Sequence, residues 1–232
     1  MDFHFSQEEQ NLLDQIHDFA VRDVAPLAAE LDREERFPAE ALQKLRQMQM
    51  MGVCYPKEVG GRGCSYLVYI AMVEELAKYC AATSIMFAAH HSLGAFALSA
   101  LGTPAQKEKY LRPLVTGEKL GAFAATEPGA GTDLGSQQTR AEDKGDHWLL
   151  NGSKIFITNG FYADIYFVSA VTDPSQKSHG ISAFIVEKGT PGFTFGKKEE
   201  KMVIRGSATY ELSFQDCCIP KENLLGELSK GY

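Results

Sequence analysis

Phe123-Ala-Ala-Thr-Glu-Pro-Gly-Ala-Gly-Thr-Asp133, together with Lys154-Ile-Phe-Ile-Thr-Asn-Gly160, decides how the chain is read. Residues 121–126 read as a strand that runs into a Pro-Gly-Ala-Gly turn. Proline and two glycines let the backbone fold back tightly and expose amide N–H groups there. A concave run of donors of this kind suits an anion or the carbonyl edge of a flat ring. The second stretch reads as a strand ended by Thr158, just before an Asn-Gly turn, where a hydroxyl stands beside a possible ring site. Each stretch alone is an ordinary strand end. As a pair they suggest two walls of one site.

The sequence before this pair is helical in pattern. Ser6-x-x-Glu9 forms a capping box ahead of Leu12, Leu13, Ile16, Phe19 and Ala20 on one stripe. Pro38 opens a helix that Gly52 is expected to end. Residues 65–79 and 83–101 read as two long helices, and Thr103-Pro-Ala-Gln106 caps another that ends near Gly117. After residue 120 the pattern shortens to strands. Residues 147–150 and 153–158 flank Asn151-Gly152, a hairpin signal, and strands are expected at 165–171, 181–186 and 209–214. The reading is a helical domain over residues 1–120 and a compact antiparallel β-domain over residues 121–232.

Composition narrows the function. A net charge of -7 and a pI near 5.4 weigh against nucleic acid or an anionic membrane as partner. The start, Met1-Asp2-Phe3-His4-Phe5-Ser6, lacks the pattern of a signal peptide. No apolar run is expected to reach the length of a membrane span, and 85–101, which holds His90, His91 and two serines, reads as a buried helix. Five cysteines without a Cys-x-x-Cys pair suit a reduced intracellular setting, with Cys217 and Cys218 on opposite faces of a strand. No metal site is expected. His90 and His91 are neighbours in a helix, about 100° apart, and cannot bind one ion as an i, i+4 pair does.

Nucleotide loops are likewise not found. Gly60-Gly-Arg-Gly63 lacks G-x-G-x-x-G spacing and lies between helices, and Gly129-Ala-Gly131 is not followed by Lys-Ser/Thr, so a nicotinamide or ATP site is disfavoured. The pairs Glu34-Glu35, Glu74-Glu75 and Glu199-Glu200 read as solvated faces. Glu127, between Thr126 and Pro128, reads as loop structure or an amide contact rather than a base.

The paired stretches resemble the flavin-binding segments of the acyl-CoA dehydrogenases, most nearly the short-chain, butyryl-CoA type. Further pieces of that family pattern stand in order around them: Tyr55-Pro56 with Gly60-Gly61, Asn151-Gly152, Phe184-Ile-Val-Glu187, and Lys201-Met202 with Ile204-Arg205-Gly206-Ser207. Phe214-Gln-Asp216, Ile219-Pro220 and Asn223-Leu-Leu-Gly226 complete the series, so the resemblance runs over nearly the whole chain.

The resemblance implies a multidomain α and β protein: an all-α N-terminal domain, a small antiparallel β-barrel, and then a C-terminal helical bundle. This chain is expected to lack that bundle, stopping where it begins. FAD is the implied cofactor, with Phe123, Ala125 and Thr126 along the flavin and Thr126 bonding its pyrimidine edge. Gly131 and Thr132 contact phosphates of cofactor or substrate, and Phe156, Ile157 and Thr158 form the second wall, with Thr158 near the reactive ring nitrogen. Many relatives carry Trp at Phe156. That difference keeps a flat apolar face but removes an indole N–H.

By the same resemblance Thr132 also meets the acyl-CoA, and Ala89, His90 and Leu93 line its acyl chain, where a histidine favours a short acyl group. The implied reaction removes a proton alpha to the thioester and a hydride from the beta carbon, giving a trans-2-enoyl-CoA. It requires a carboxylate base; that glutamate is expected beyond Tyr232, so no catalytic residue is assigned within the chain. Electrons pass to an electron-transfer flavoprotein, the full-length protein is a homotetramer, and the setting is cytoplasmic, or an organelle matrix if a targeting segment was removed. Two alternatives are an oxygen-using acyl-CoA oxidase or monooxygenase relative, and a truncated non-catalytic homologue that binds acyl-CoA or a partner.

Overall fold

The computed structural model describes residues 4–231; Met1-Asp2-Phe3 and Tyr232 lie outside the described residues. Helix α1 (Gln7–Phe19) begins as its capping box requires: Ser6 Oγ accepts the Glu9 amide at 3.3 Å, and the Ser6 amide donates to the Glu9 carboxylate at 2.9 Å. Its stripe of Leu12, Ile16 and Phe19 is buried. The helix continues through a wide π turn at Ala20–Val24 into α2 (Ala25–Arg33), with Pro26 in the first turn of α2. A proline lacks the donor an α-turn needs, and a π turn just before it absorbs the defect.

Helix α3 (Ala39–Gln47) stops earlier than expected, since Gly52 is not its terminator. A Cβ at Gly52 would lie 2.4 Å from the Val115 side chain, so that glycine serves a close packing contact. Helix α4 (Tyr66–Tyr79) follows its Ser65 cap. Next, α5 (Ala81–Ala89), a π turn at His90–Ala95 and α6 (Phe96–Leu101) form one continuous helix. The expectation that no apolar run reaches spanning length is corrected here. Ala81–Leu101 is 21 residues and apolar enough to cross a membrane by length and composition. Half of that window is buried inside the protein, with His90 and His91 among the buried residues, as for a core helix. Helices α7 (Pro104–Gln106) and α8 (Arg112–Thr116), joined by a π turn, end at Gly117, whose φ of 81° is left-handed.

Eight strands follow: β1 (Gly121–Ala124), β2 (Arg140–Asp143), β3 (His147–Thr158), β4 (Ile165–Val171), β5 (Ile181–Glu187), β6 (Phe193–Lys198), β7 (Thr209–Pro220) and β8 (Leu224–Leu225). They form one sheet in the order β6-β7-β3-β2-β4-β5-β8, with β1 beside β4. The expected antiparallel barrel is corrected on two counts. Strands β1 and β2 each run parallel to β4, and the sheet does not close. The physical reasons are local. Strands β2 and β4 share a single residue pair, Arg140 with Val171, so the sheet splays there. Strand β8 has only two residues, and Gln106 Nε2 donates to the carbonyls of Glu222 and Leu224 beside it at 2.7 and 2.8 Å. That end of the sheet is sealed by a helical side chain and not by β6.

Asn151-Gly152 is also corrected: it makes no hairpin turn. Strand β3 passes straight through it as a bulge, where the register against β7 shifts. Gly152 has a φ of 147°, and a Cβ there would sit 2.7 Å from Thr139 Cα. Asn151 reaches across to β7, accepting the Asp216 amide at 2.8 Å. The strand preference of the flanking Trp, Leu and Ile residues prevails over the turn preference of the dipeptide.

Three buried clusters result. One fills the helices (Ile16, Leu31, Leu45, Met72, Phe87), and one fills the folded sheet (Trp148, Tyr166, Phe184, Phe193, Phe214). The third, with Tyr55, Leu98, Leu114, Phe167 and Ile185, joins the helices to β4 and β5 of the sheet.

Candidate flavin and acyl-CoA site

Strand β1 is seated by the π turn at His90–Ala95. A Cβ on Gly94 would come within 3.0 Å of Gly121 Cα, so helix and strand meet backbone to backbone. His90 completes the joint: its Nδ1 accepts the Gly121 amide at 3.1 Å, and its Nε2 donates to the Leu114 carbonyl at 3.1 Å. That arrangement uses the neutral imidazole, and burial pushes its pKa down to about 4. His91 is packed between the rings of Tyr69 and Phe87 at 4.9 and 4.5 Å, and burial likewise keeps it neutral. Neither histidine belongs to a metal cluster; no group of three or more His, Cys, Asp or Glu side chains fit to hold an ion occurs among the described residues.

The two stretches that opened the sequence reading lie side by side. The Ile155 amide donates to the Thr126 carbonyl at 2.9 Å, and at the other end Asn159 Nδ2 reaches the Gly121 carbonyl at 3.5 Å. Between Glu127 and Ala130 a pair of backbone bonds of 3.0 and 3.1 Å closes the tight turn. A second bulge in β3, between Lys154 and Ile157, puts Phe156 at φ 59°. The left-handed backbone throws its ring outward: Phe156 is 57% exposed, while Lys154 and Ile157 are buried. Phe123, 38% exposed, is the second large apolar ring on these stretches, and Ala125 is buried behind it.

Several polar groups here are free. Among the described residues, the hydroxyls of Thr126, Thr132 and Thr158 and the amides of Gly131 and Thr132 make no bond within the chain. A Cβ added to Gly129 or Gly131 would meet nothing within 4 Å, so the space above the turn is open to a ligand. Exposed flat rings bordered by unbonded hydroxyls and amides match what an isoalloxazine offers, namely a flat apolar body with polar edges. The residues fit a flavin.

Sequence reasoning missed Lys154. Its buried Nζ lies 2.8 Å from Glu127 Oε1, 2.9 Å from the Ala125 carbonyl and 3.0 Å from Gln137 Oε1, with Ser169 Oγ at 3.3 Å. Glu127 in turn accepts the amides of Gln138 and Thr139 at 2.6 and 3.0 Å, the amide contact expected of it. Burial drives the Glu127 carboxyl up, yet the Gln138 amide and the Lys154 ammonium outweigh that and hold it below the ordinary value. It is therefore a poor proton acceptor. The signal for Lys154 was available: alternation along β3 puts it on the face of Trp148 and Leu150, where a cation requires a partner.

The expected acyl-chain residues separate. Leu93 is 46% exposed, whereas Ala89 and His90 are buried beneath it. Beside Asp133 a cleft of about 530 Å³ is lined by Gly135, Ser136, Gln138, Arg140, Pro174 and Lys177. Arg140 and Lys177 are its two cations. Two of the presumed solvated carboxylates hold structure together: Glu35 pairs with Arg205 from the strand region, and Glu75 bridges His17 and Lys78.

Residues 6–118 match the model of the acyl-CoA dehydrogenase N-terminal domain, and residues 122–217 match that of the acyl-CoA dehydrogenase middle domain. The chain belongs to the acyl-CoA dehydrogenase family. The short-chain specific acyl-CoA dehydrogenase of Clostridium acetobutylicum is 50% identical over 232 residues, which is all of this chain and 61% of that protein. The butyryl-CoA dehydrogenase structure of Megasphaera elsdenii superposes with a TM-score of 0.97 at 50% identity, covering 100% of this chain and 61% of that one. An acyl-CoA dehydrogenase of Bacillus anthracis, solved with FAD, gives 0.90 at 37% identity, covering 98% of this chain and 38% of that one. The chain thus spans about three-fifths of the length of the acyl-CoA dehydrogenases from Clostridium and Megasphaera.

Proposed function

We propose that this chain forms the FAD- and acyl-CoA-binding part of a short-chain acyl-CoA dehydrogenase, divided into a helical domain over residues 1–120 and a strand domain over residues 121–232. One observation carries the reading: the exposed rings of Phe123 and Phe156, on adjoining strand ends, are bordered by threonine hydroxyls that the chain itself leaves unbonded. When bound, FAD supplies the hydride acceptor for oxidation of the acyl-CoA to a trans-2-enoyl-CoA. Phe123 and Phe156 would give it an apolar bed that excludes water, backed by the buried Ala125 and Ile157. Thr126 would hold the pyrimidine edge with its hydroxyl, and Thr158 would offer its own to the reactive ring nitrogen. Gly131 and Thr132 turn amides and a hydroxyl to phosphate oxygens.

Thr132 also borders the acyl-CoA, whose anionic end suits the cleft of Arg140 and Lys177. Leu93 supplies apolar contact to the acyl chain. Ala89 and His90 limit its depth from below, which favours a short chain. Glu127 does not serve as base, because Lys154 and two amides occupy it. We assign the base to the portion of the family's length that this chain does not span. Electron transfer to an electron-transfer flavoprotein, a homotetrameric assembly and a cytoplasmic or matrix setting accord with this family reading.

Anaerobic addition of butyryl-CoA to the FAD-loaded chain tests the proposal. The flavin band should shift saturably without bleaching, because Glu127, the buried carboxylate of the paired stretches, is held by Lys154 and two amides. No spectral change with any acyl-CoA from a series of chain lengths would contradict acyl-CoA binding. Bleaching would contradict the assignment of the base.

A further inference from the structure

We infer that Lys154 is the positioning residue of the proposed flavin site, a role that rests on the flavin reading above. The ammonium is fully buried, and its partners come from separate places: the Ala125 carbonyl at the end of the first wall, Glu127 in the turn, Gln137 beyond the turn, and Ser169 on β4. Lys154 itself precedes Phe156 on the second wall by two residues. One side chain therefore fixes both walls to each other and to the sheet behind them. Ser169 Oγ also donates to Gln137 Oε1 at 2.9 Å, so the network is closed.

The pair also governs the charge beneath the site. Burying a carboxylate alone beside a redox centre disfavours added electrons, and burying an ammonium alone favours them. Paired, Lys154 and Glu127 present little net field to the rings on the other side of the strand ends. Removal of either partner leaves the other uncompensated, and the two removals act with opposite sign. A role confined to packing has no such sign.

The test uses the full chain with Lys154→Met, Glu127→Gln and the double variant. In the FAD-loaded forms, at about neutral pH, the flavin reduction potential should fall in Lys154→Met, rise in Glu127→Gln, and return toward the parent value in the double variant. Shifts of the same sign, or none, would overturn the inference. A second readout needs no flavin. Amide hydrogen exchange at Glu127 and Ala130, whose amides bond across the turn, should quicken by about tenfold or more in every variant that lacks Lys154, with the helical core unchanged. Exchange that quickens evenly over the chain, or not at all, would overturn it too.

Should a single variant fail to fold, the double variant decides. It keeps the volume and removes both charges, yet methionine donates nothing to the Ala125 carbonyl, so the Glu127 and Ala130 amides should still exchange faster. A parent chain that takes no FAD would remove the proposed function, while the exchange measurement would still judge Lys154.

Discussion

The Gly121 amide donates to His90 Nδ1 across 3.1 Å, so a single buried imidazole ties the first residue of β1 to the core helix beneath it. Because the ring also donates to Leu114 O, protonation would break one of its two bonds. The folded-state pKa of about 4 lies below the unfolded value, so the unfolded chain binds more protons between roughly pH 6.5 and 4. The His90 contribution should be fully present above that window and be lost, by about 3 kcal/mol, as pH drops through it, with buried His91 adding to the loss on the acid side. Denaturant melts across pH check this, and His90→Gln should flatten the slope.

Phe156 combines a left-handed backbone with an exposed ring. In Phe156→Gly the backbone strain of about 1 kcal/mol is relieved and offset by glycine entropy, leaving stability nearly unchanged. FAD affinity should fall by about 3- to 10-fold with the lost ring contact. Thermal melts and flavin titration separate the two effects. A large loss of stability would show the ring to be part of the core.

Gly152 allows β3 to bulge against Thr139. Gly152→Ala should cost roughly 2–4 kcal/mol, from left-handed strain plus overlap with Thr139. Urea denaturation measures it. A cost below about 1 kcal/mol would mean the bulge can relax.

Much of the architecture was legible because its signals are local. The capping boxes at Ser6 and Thr103 both form, as does the Ser65 cap, and the stripe of Leu12, Ile16 and Phe19 is buried as its spacing requires. Asn151-Gly152 misled because turn propensity is local, whereas the long pairing of β3 with β7 is decided by residues 51 to 73 positions apart. The parallel placement of β1 and β2 beside β4, and the open end sealed by Gln106, depend on contacts between distant segments that no pattern within a strand carries. The paired ring-bearing stretches were readable from their Pro-Gly and Asn-Gly ends. Lys154 was not singled out, because a lysine in a strand usually faces water; its parity with Trp148 and Leu150 pointed inward, and its partners, 15 to 29 residues away, satisfy the charge there.

Gln106 holds the β8 end of the sheet, donating to two carbonyls while its Oε1 accepts the Thr103 amide at 3.0 Å. Gln106→Ala should cost about 1–2 kcal/mol, because two part-buried acceptors and one donor lose their partner, and water reaches some of them. Hydrogen exchange should rise first at 183–184, the residues of β5 that pair with β8.

The most direct test of the central claim is an equilibrium titration of the chain with FAD, followed by flavin absorbance and fluorescence and repeated with Phe123→Ala and Phe156→Ala. The account predicts saturable one-to-one binding with a resolved visible band, weakened by each substitution while the fold is retained. Absence of binding by the folded parent chain, or binding indifferent to both rings, would contradict it.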